Sequence, residues 1–385
     1  MIMPNQADFQ EIGHSGGTLT IRVGADKDGK RGYQLTWQHS RPVPAAVFAV
    51  YALPQGVAVE QMSLGGIGQP GNPAPLPGCY QVFIGSDSEG KFGHQCPVCD
   101  RYWRGDCSAG VCPYCGIRAR LHEFLTRAQK SYVEQYCARM REVLNANIDG
   151  DYVIDMDAVA DAVGKNTDKP PFYYAEESQQ NKFTCSACGA FNDILGRFGY
   201  CSVCGTRNDL QELSDKIIPP IRDRIDAGGP YEACVRDSVA AFDSFVGQYV
   251  EQLVQHVPST PARRNRLEKR RFHNLQAVAT DLKEIFDIDI LDGLKADDVE
   301  FSKLMFHRRH VYEHKGGEAD EKYIAESGDS LVRPKQLLRE IPGSAHRIAE
   351  LVLRMATNLH RGFHEILPPE EEPIKRHQRL RSATI

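Results

Sequence analysis

No stretch of this chain is long and apolar enough for a bilayer. The longest such run, PVPAAVFAVYALP from Pro42 to Pro54, falls short of the roughly 20 residues that a spanning helix needs. The opening MIMPNQADFQ has no apolar core of the secretory kind, so a cytoplasmic location with no membrane partner is expected. Positive charge is also lacking: 46 basic residues against 51 acidic ones give a formal net charge of −5. No global field recruits a polyanion, and any nucleic-acid contact has to rest on a local patch.

What is present can build a core. With 41% hydrophobic and 25% charged residues the chain has the proportions of a folded protein. Its 385 residues exceed one ordinary core, so two or three domains are expected at about 100–200 residues each.

Twelve cysteines without a secretion signal, eight of them in Cys-x-x-Cys pairs, favour metal binding in a reducing compartment over disulfides. HQCPVCDRYWRGDCSAGVCPYCGIR carries Cys96, Cys99, Cys112 and Cys115; KFTCSACGAFNDILGRFGYCSVCGTRN carries Cys185, Cys188, Cys201 and Cys204. Twelve residues separate the two pairs in each, Asp100 to Val111 and Gly189 to Tyr200, so the spacing is duplicated. Zinc takes four thiolates tetrahedrally, and two facing Cys-x-x-Cys turns close a site with no open position, which makes it structural. Gly116, Gly189 and Gly205 follow the second cysteine of a pair, as suits a turn whose amides point at sulfur, while Asp100 takes that place in the fourth turn.

Both segments resemble zinc ribbons. The resemblance covers only 94–118 and 182–208 and implies two structural Zn²⁺ ions, often with nucleic-acid or protein contact, but no reaction. An iron–sulfur centre is the alternative occupant. Cys79, Cys107, Cys137 and Cys234 read as small buried thiols, although Cys107 lies inside the first ribbon and is a possible competing ligand.

From Thr18 to Phe92 the runs TLTIRV, GYQLTWQHS, AAVFAVYAL, VAVEQMSL and CYQVFIGS alternate and are separated by Gly- and Pro-rich turns. That pattern predicts antiparallel strands in a small sandwich or barrel, which carries no catalytic constellation and reads as a docking or scaffold domain. After Asn208 the periodicity turns helical, with helices expected over 209–225, 231–257, 264–286, 297–314 and 344–367. The last residues, PPEEEPIKRHQRLRSATI, are expected to form a frayed charged tail.

Within this helical half, RRHVYEHKGG from Arg308 to Gly317 crowds two arginines, two histidines and a glutamate together. On a helix of 100° per residue, Phe301, Leu304, Met305, Val311 and Tyr312 share one stripe, with Arg308 in its middle. Arg309, His310, Glu313 and His314 fall on the other face with Lys303. One reading is the solvated side of an amphipathic helix stopped at Gly316-Gly317. The other is a site, because imidazoles move protons near neutral pH and here two sit one turn apart beside a fixed cation.

The stretch FSKLMFHRRHVYEHKGGEADEKYIAESGDS, Phe301 to Ser330, resembles the motif region of the HEPN superfamily, whose signature is Arg, four to six residues, then His, commonly with a polar residue after the Arg. Arg309, His310 and His314 match it, and GGEADEKY is similar to the segment that follows in defence-associated groups. His310 departs from the frequent Asn or Asp, and Arg308 also satisfies the spacing. The resemblance spans about Leu210 to Leu367. It implies metal-independent endoribonuclease activity at an interface of a homodimer or higher homo-oligomer, with His314 transferring a proton, Arg309 stabilising charge and His310 orienting or transferring a second proton. Arg308, Tyr312 and Glu313 are candidate support. Such proteins serve as toxins or antiphage-defence effectors, which also implies a protein or nucleic-acid trigger, received by the N-terminal domain or the ribbons. For RNA capture, PARRNRLEKRRFHN offers Arg263, Arg264, Arg266, Lys269, Arg270 and Arg271, or is merely a solvated helix start.

The expected organisation is multidomain α+β: an antiparallel β domain over 1–93, a first ribbon plus helix over 94–147, a connector over 148–182, a second ribbon over 183–208, an all-α HEPN-like bundle over 209–368 and a flexible tail over 369–385. The alternatives to an RNase are a non-catalytic regulator whose ribbons bind nucleic acid or protein, and a structural subunit of a larger complex.

Overall fold

Leu19, Ile21 and Val23 are buried and alternate with Thr18, Thr20 and the exposed Arg22, the period-two signature of a strand with one wet face. The computed structural model in which this is seen describes residues 8–13, 16–25, 27–38, 46–62, 71–146, 148–163, 169–268, 272 and 274–383. In chain order its first elements are β1 (Glu11–Gly13), β2 (Thr18–Ala25), β3 (Arg31–Gln38), β4 (Val47–Ala52), β5 (Ala58–Met62), β6 (Tyr80–Gly85), β7 (Phe92–Gln95), β8 (Tyr102–Gly105), α1 (Arg127–Ala146), β9 (Gly150–Asp155), α2 (Met156–Val163), β10 (Glu176–Glu177), β11 (Asn181–Thr184) and β12 (Phe191–Ile194). They form antiparallel sheets of order β3-β2-β9, β5-β4-β6 and β11-β12-β8-β7, with β1 paired to β10.

The five expected strands are β2 to β6, and the organisation around them differs from the expected one in three ways. The stretch 148–182 is no mere connector, because β9 completes the β2 sheet with Ile154 opposite Leu19, and β10 pairs with β1. The helix α1 belongs with the β domain: Tyr132, Val133, Tyr136 and Met140 pack into one core with Leu19, Ile21, Val50 and Ile84 of the two three-stranded sheets. The two ribbons are not separate beads either, since β8 of the first pairs with β12 of the second and makes a single four-stranded sheet.

The helical part comprises α3 (Asp209–Glu212), a wider π turn at Leu213–Ile217, α4 (Ile218–Asp226), α5 (Tyr231–His256), α6 (Pro261–Glu268), α7 (Leu275–Phe286), α8 (Ala296–His314), α9 (Glu321–Ser327) and α10 (Pro342–Ile366). The core lies between α5 and α10, where Tyr249 meets Phe363 edge to face at 4.9 Å, and Phe242 of α5 meets Phe306 of α8 at 5.8 Å. The helix expected over 264–286 is two. Asn274 caps the second, its side chain accepting from the Ala277 amide, and this local bond competes with continuous helix.

Contacts divide the chain into two units, 1–205 with 370–385, and 206–369. The tail is therefore not frayed: Glu371–Ser382 forms α11 and joins the first unit. Among the described residues no helix is long and apolar enough to cross a membrane.

Candidate functional site

The first candidate sites are the cysteine quartets. Cys96, Cys99, Cys112 and Cys115 form one group and Cys185, Cys188, Cys201 and Cys204 another, each with its sulfurs within 4.8 Å of one another. Sulfur separations are 3.7 Å for Cys96–Cys115, 3.6 Å for Cys99–Cys112, 3.7 Å for Cys185–Cys204 and 3.5 Å for Cys188–Cys201. A tetrahedron with metal–sulfur bonds of about 2.3 Å requires edges of about 3.8 Å, so each quartet has the dimensions to hold one metal ion.

Backbone amides support the sulfurs. Val98 and Cys99 donate to Cys96 Sγ at 3.4 Å, and Val203 donates to Cys201 Sγ at 3.5 Å. The four turn-closing residues all have left-handed φ, 67° at Gly116, 75° at Gly189, 79° at Gly205 and 60° at Asp100. Aspartate tolerates that region better than most residues, and Asp100 is fixed there by Gln95 Nε2 at 2.9 Å and Arg127 at 2.5 Å. Cys107 packs against the β-domain core instead of joining a quartet.

The second candidate is α8. Its two arginines have opposite fates. Arg308 is mostly buried and bonded through all three nitrogens: Nη1 donates to Glu340 at 2.9 Å, Nη2 to Asp329 at 2.9 Å and Nε to Tyr323 Oη at 3.3 Å, while Tyr312 Oη donates to the same Glu340 at 2.6 Å. Burial opposes charge on Asp329, but hydrogen bonds from Tyr323 and Arg308 outweigh it and hold the carboxyl below its usual range. Arg308 and Tyr312 thus tie the segment after α8 to the helix, over a small core of Val311, Ala319, Tyr323 and Leu338.

Arg309 has no such partners among the described residues. Its Nε is buried and unbonded among the described residues. It lies on the stripe of Phe306 and Glu313, whose side chains meet Phe242 and Arg236 of α5, the latter pair at 3.8 Å. The histidines occupy the neighbouring stripe, where His310 and His314 are exposed with ring centroids 4.8 Å apart.

Beside His310 opens a groove of about 330 Å³, walled by the first turn of α7, by Lys303, His307 and His310 of α8, and by Lys315, Asp320, Lys322 and Glu326 around α9. Neither Arg309 nor His314 is among the described residues lining it. His307 escaped the sequence reading, although Lys303, His307, His310 and His314 fall at i, i+4, i+7 and i+11, one continuous helical stripe. Lys322 carried no signal at all, because it reaches the groove only through the fold of 315–340.

The basic run is only partly available. Arg263 and Arg264 are exposed, whereas Arg266 pairs with Asp281 and, at 2.9 Å, with Glu284. Lys269, Arg270 and Arg271 lie outside the described residues. Comparison with protein-family models, with curated proteins and with solved structures gives no match to this chain.

Proposed function

We propose that this protein is a metal-independent endoribonuclease that cuts RNA where two copies of α8 meet. The observation that carries the reading is the exposed His310–His314 pair, 4.8 Å between ring centroids, at the edge of a lysine-bearing groove. RNA supplies its own nucleophile. One imidazole takes the proton of a 2′-hydroxyl as that oxygen bonds to the adjacent phosphorus, and the other gives a proton to the departing 5′-oxygen, leaving a 2′,3′-cyclic phosphate. Developing charge on the phosphorane calls for a cation, a role this reading gives to the guanidinium of Arg309. The reading takes Arg309 to reach the reacting phosphate from across the interface, since its own stripe is not that of the histidines. A toxin or defence-effector role, by resemblance to HEPN proteins, belongs to the same proposal.

The two metals in this reading are zinc, held by the quartets for structure alone. All-thiolate tetrahedra with no open position suit it, and no step of the cleavage uses them.

The test is incubation of the purified protein with RNA at dimer-forming concentrations beside His314→Ala and Arg309→Ala. Cyclic-phosphate products from the parent, lost in both variants while melting and RNA affinity persist, are the expected result. Cleavage that survives both substitutions overturns the assignment.

A further inference from the structure

We infer that the groove between the first turn of α7, α8 and α9 is the track for a single strand of RNA, with Lys303, Lys315 and Lys322 on its phosphates and His307 beside the bond cut at His310; this rests on the nuclease reading above. Three observations converge. The volume of about 330 Å³ lies at the lower end of the roughly 300–1,000 Å³ of ligand sites, which suits one nucleotide at a time. The lining brings three lysines and two histidines together from elements that sequence order alone does not juxtapose.

The lysines are also releasable. Lys315 sits 3.7 Å from Asp320 and Lys322 3.9 Å from Glu326, both beyond a good hydrogen bond, and Lys303 meets the exposed Glu300 at 2.8 Å. Exposed pairs of this sort are weak, so a phosphate competes with them readily. Asp320 is in addition engaged by its cap, accepting from the Tyr323 amide at 2.8 Å.

The site differs from the sequence-based candidate. The run 263–271 has Arg266 occupied by two acids, whereas the groove abuts the histidine stripe directly.

The experiment is anisotropy titration of a short single-stranded oligouridylate with 2′-O-methyl riboses, which cannot be cut, against the full chain over a range of salt. Lys303→Gln combined with Lys322→Gln is expected to weaken binding about tenfold and to make the log–log salt slope shallower by roughly 1.4, two phosphate contacts at about 0.7 each for a single strand. Both lysines are on the surface, so an unchanged melting curve is expected beside the lost affinity. Parent-like affinity and slope in the double variant overturn the groove, as does a parent that fails to bind the strand. If the parent cuts RNA in a His314-dependent way while the lysine variant binds normally, the nuclease stands and the groove falls. If groove-dependent binding is found without any cleavage, the reverse holds.

Discussion

Arg104 and Asp193, one from each cysteine ribbon, face each other across the β8–β12 pairing and share a hydrogen bond of 3.0 Å with both side chains fully buried. Arg104 Nη1 also donates to Asp87 and to Glu89 at 2.8 Å each, which extends the network to the loop between β6 and β7. One guanidinium thus compensates two buried carboxylates and one half-exposed one.

Removing that guanidinium is expected to be severe. Arg104→Met leaves Asp87 and Asp193 buried without their counter-ion, a change that typically costs about 3–5 kcal/mol. Urea unfolding should place the variant's midpoint well below the parent's. Asp193→Asn should cost less, because Asp87 and Glu89 still balance the arginine; equal losses in the two variants would contradict the network.

The neighbouring arginines of α8 give a second contrast. Arg308→Ala strips Asp329 and Glu340 of their partner, and a loss of about 3 kcal/mol is expected with faster proteolysis within 315–340. Arg309→Ala removes no observed hydrogen bond, and its melting curve should stay within about 1 kcal/mol of the parent's. Cleavage lost in both therefore has two meanings, unfolding in one case and chemistry in the other, and calorimetry separates them. Because Asp329 is held below its usual range, its contribution is present at neutral pH and disappears only as acid protonates it, below about pH 4.

Truncation after Pro369 tests the second quartet. Ile374 of α11 packs on Cys185, Cys201 and Cys204, His377 lies against Gly189, and the Glu370 amide donates to the Cys204 carbonyl at 2.7 Å. Without α11 the metal content measured after dialysis against a mild chelator is expected to fall from two ions per chain toward one. Cys112→Ser in the first quartet should also lose one ion with α11 in place, so that the double change loses both. Retention of two ions by the truncated chain would show that α11 is dispensable to the site.

The sequence made the local features legible and the distant ones not. Cys-x-x-Cys turns announce themselves because ligand spacing is a contiguous property, and the strands β2 to β6 do so by their alternation. The burial of Arg308 followed from helical period alone, since it sits at the centre of an apolar stripe. By contrast, β9 is a short alternating run within a polar stretch, and its partner β2 lies more than a hundred residues earlier, so nothing nearby in sequence indicates the pairing. The helix α11 reads as a tail because its only large exposed-face clue, charge, is shared by frayed ends and solvated helices; what anchors it, the second quartet, is remote. Arg309 illustrates a finer limit. A wheel drawn in halves puts it with the histidines, while the packing of Phe306 and Glu313 on α5 assigns it to the adjoining stripe.

Glu176 supplies a pH prediction whose sign runs against the usual carboxylate. It is fully buried on β10, accepting from Tyr102 Oη at 3.0 Å and from Gln129 Nε2 at 3.1 Å, and so links β10 to β8 and α1. Burial pushes its carboxyl up from 4.5 to about 7, more than its hydrogen-bond donors lower it. Between about pH 4.5 and 7 the folded chain therefore keeps a proton that the unfolded chain has released. Stability must decline as pH rises through that window and level off above it, by about 3 kcal/mol at most from a shift of this size. Glu176→Gln carries no titrating proton, and its amide offers an oxygen to Gln129 and an NH₂ to Tyr102 Oη. The variant is expected to match the parent near pH 4 and to exceed it in unfolding free energy near pH 8. Parallel stability profiles for the two proteins over that range would mean that Glu176 is ionised in the fold throughout, and that Tyr102 and Gln129 bind it as a carboxylate.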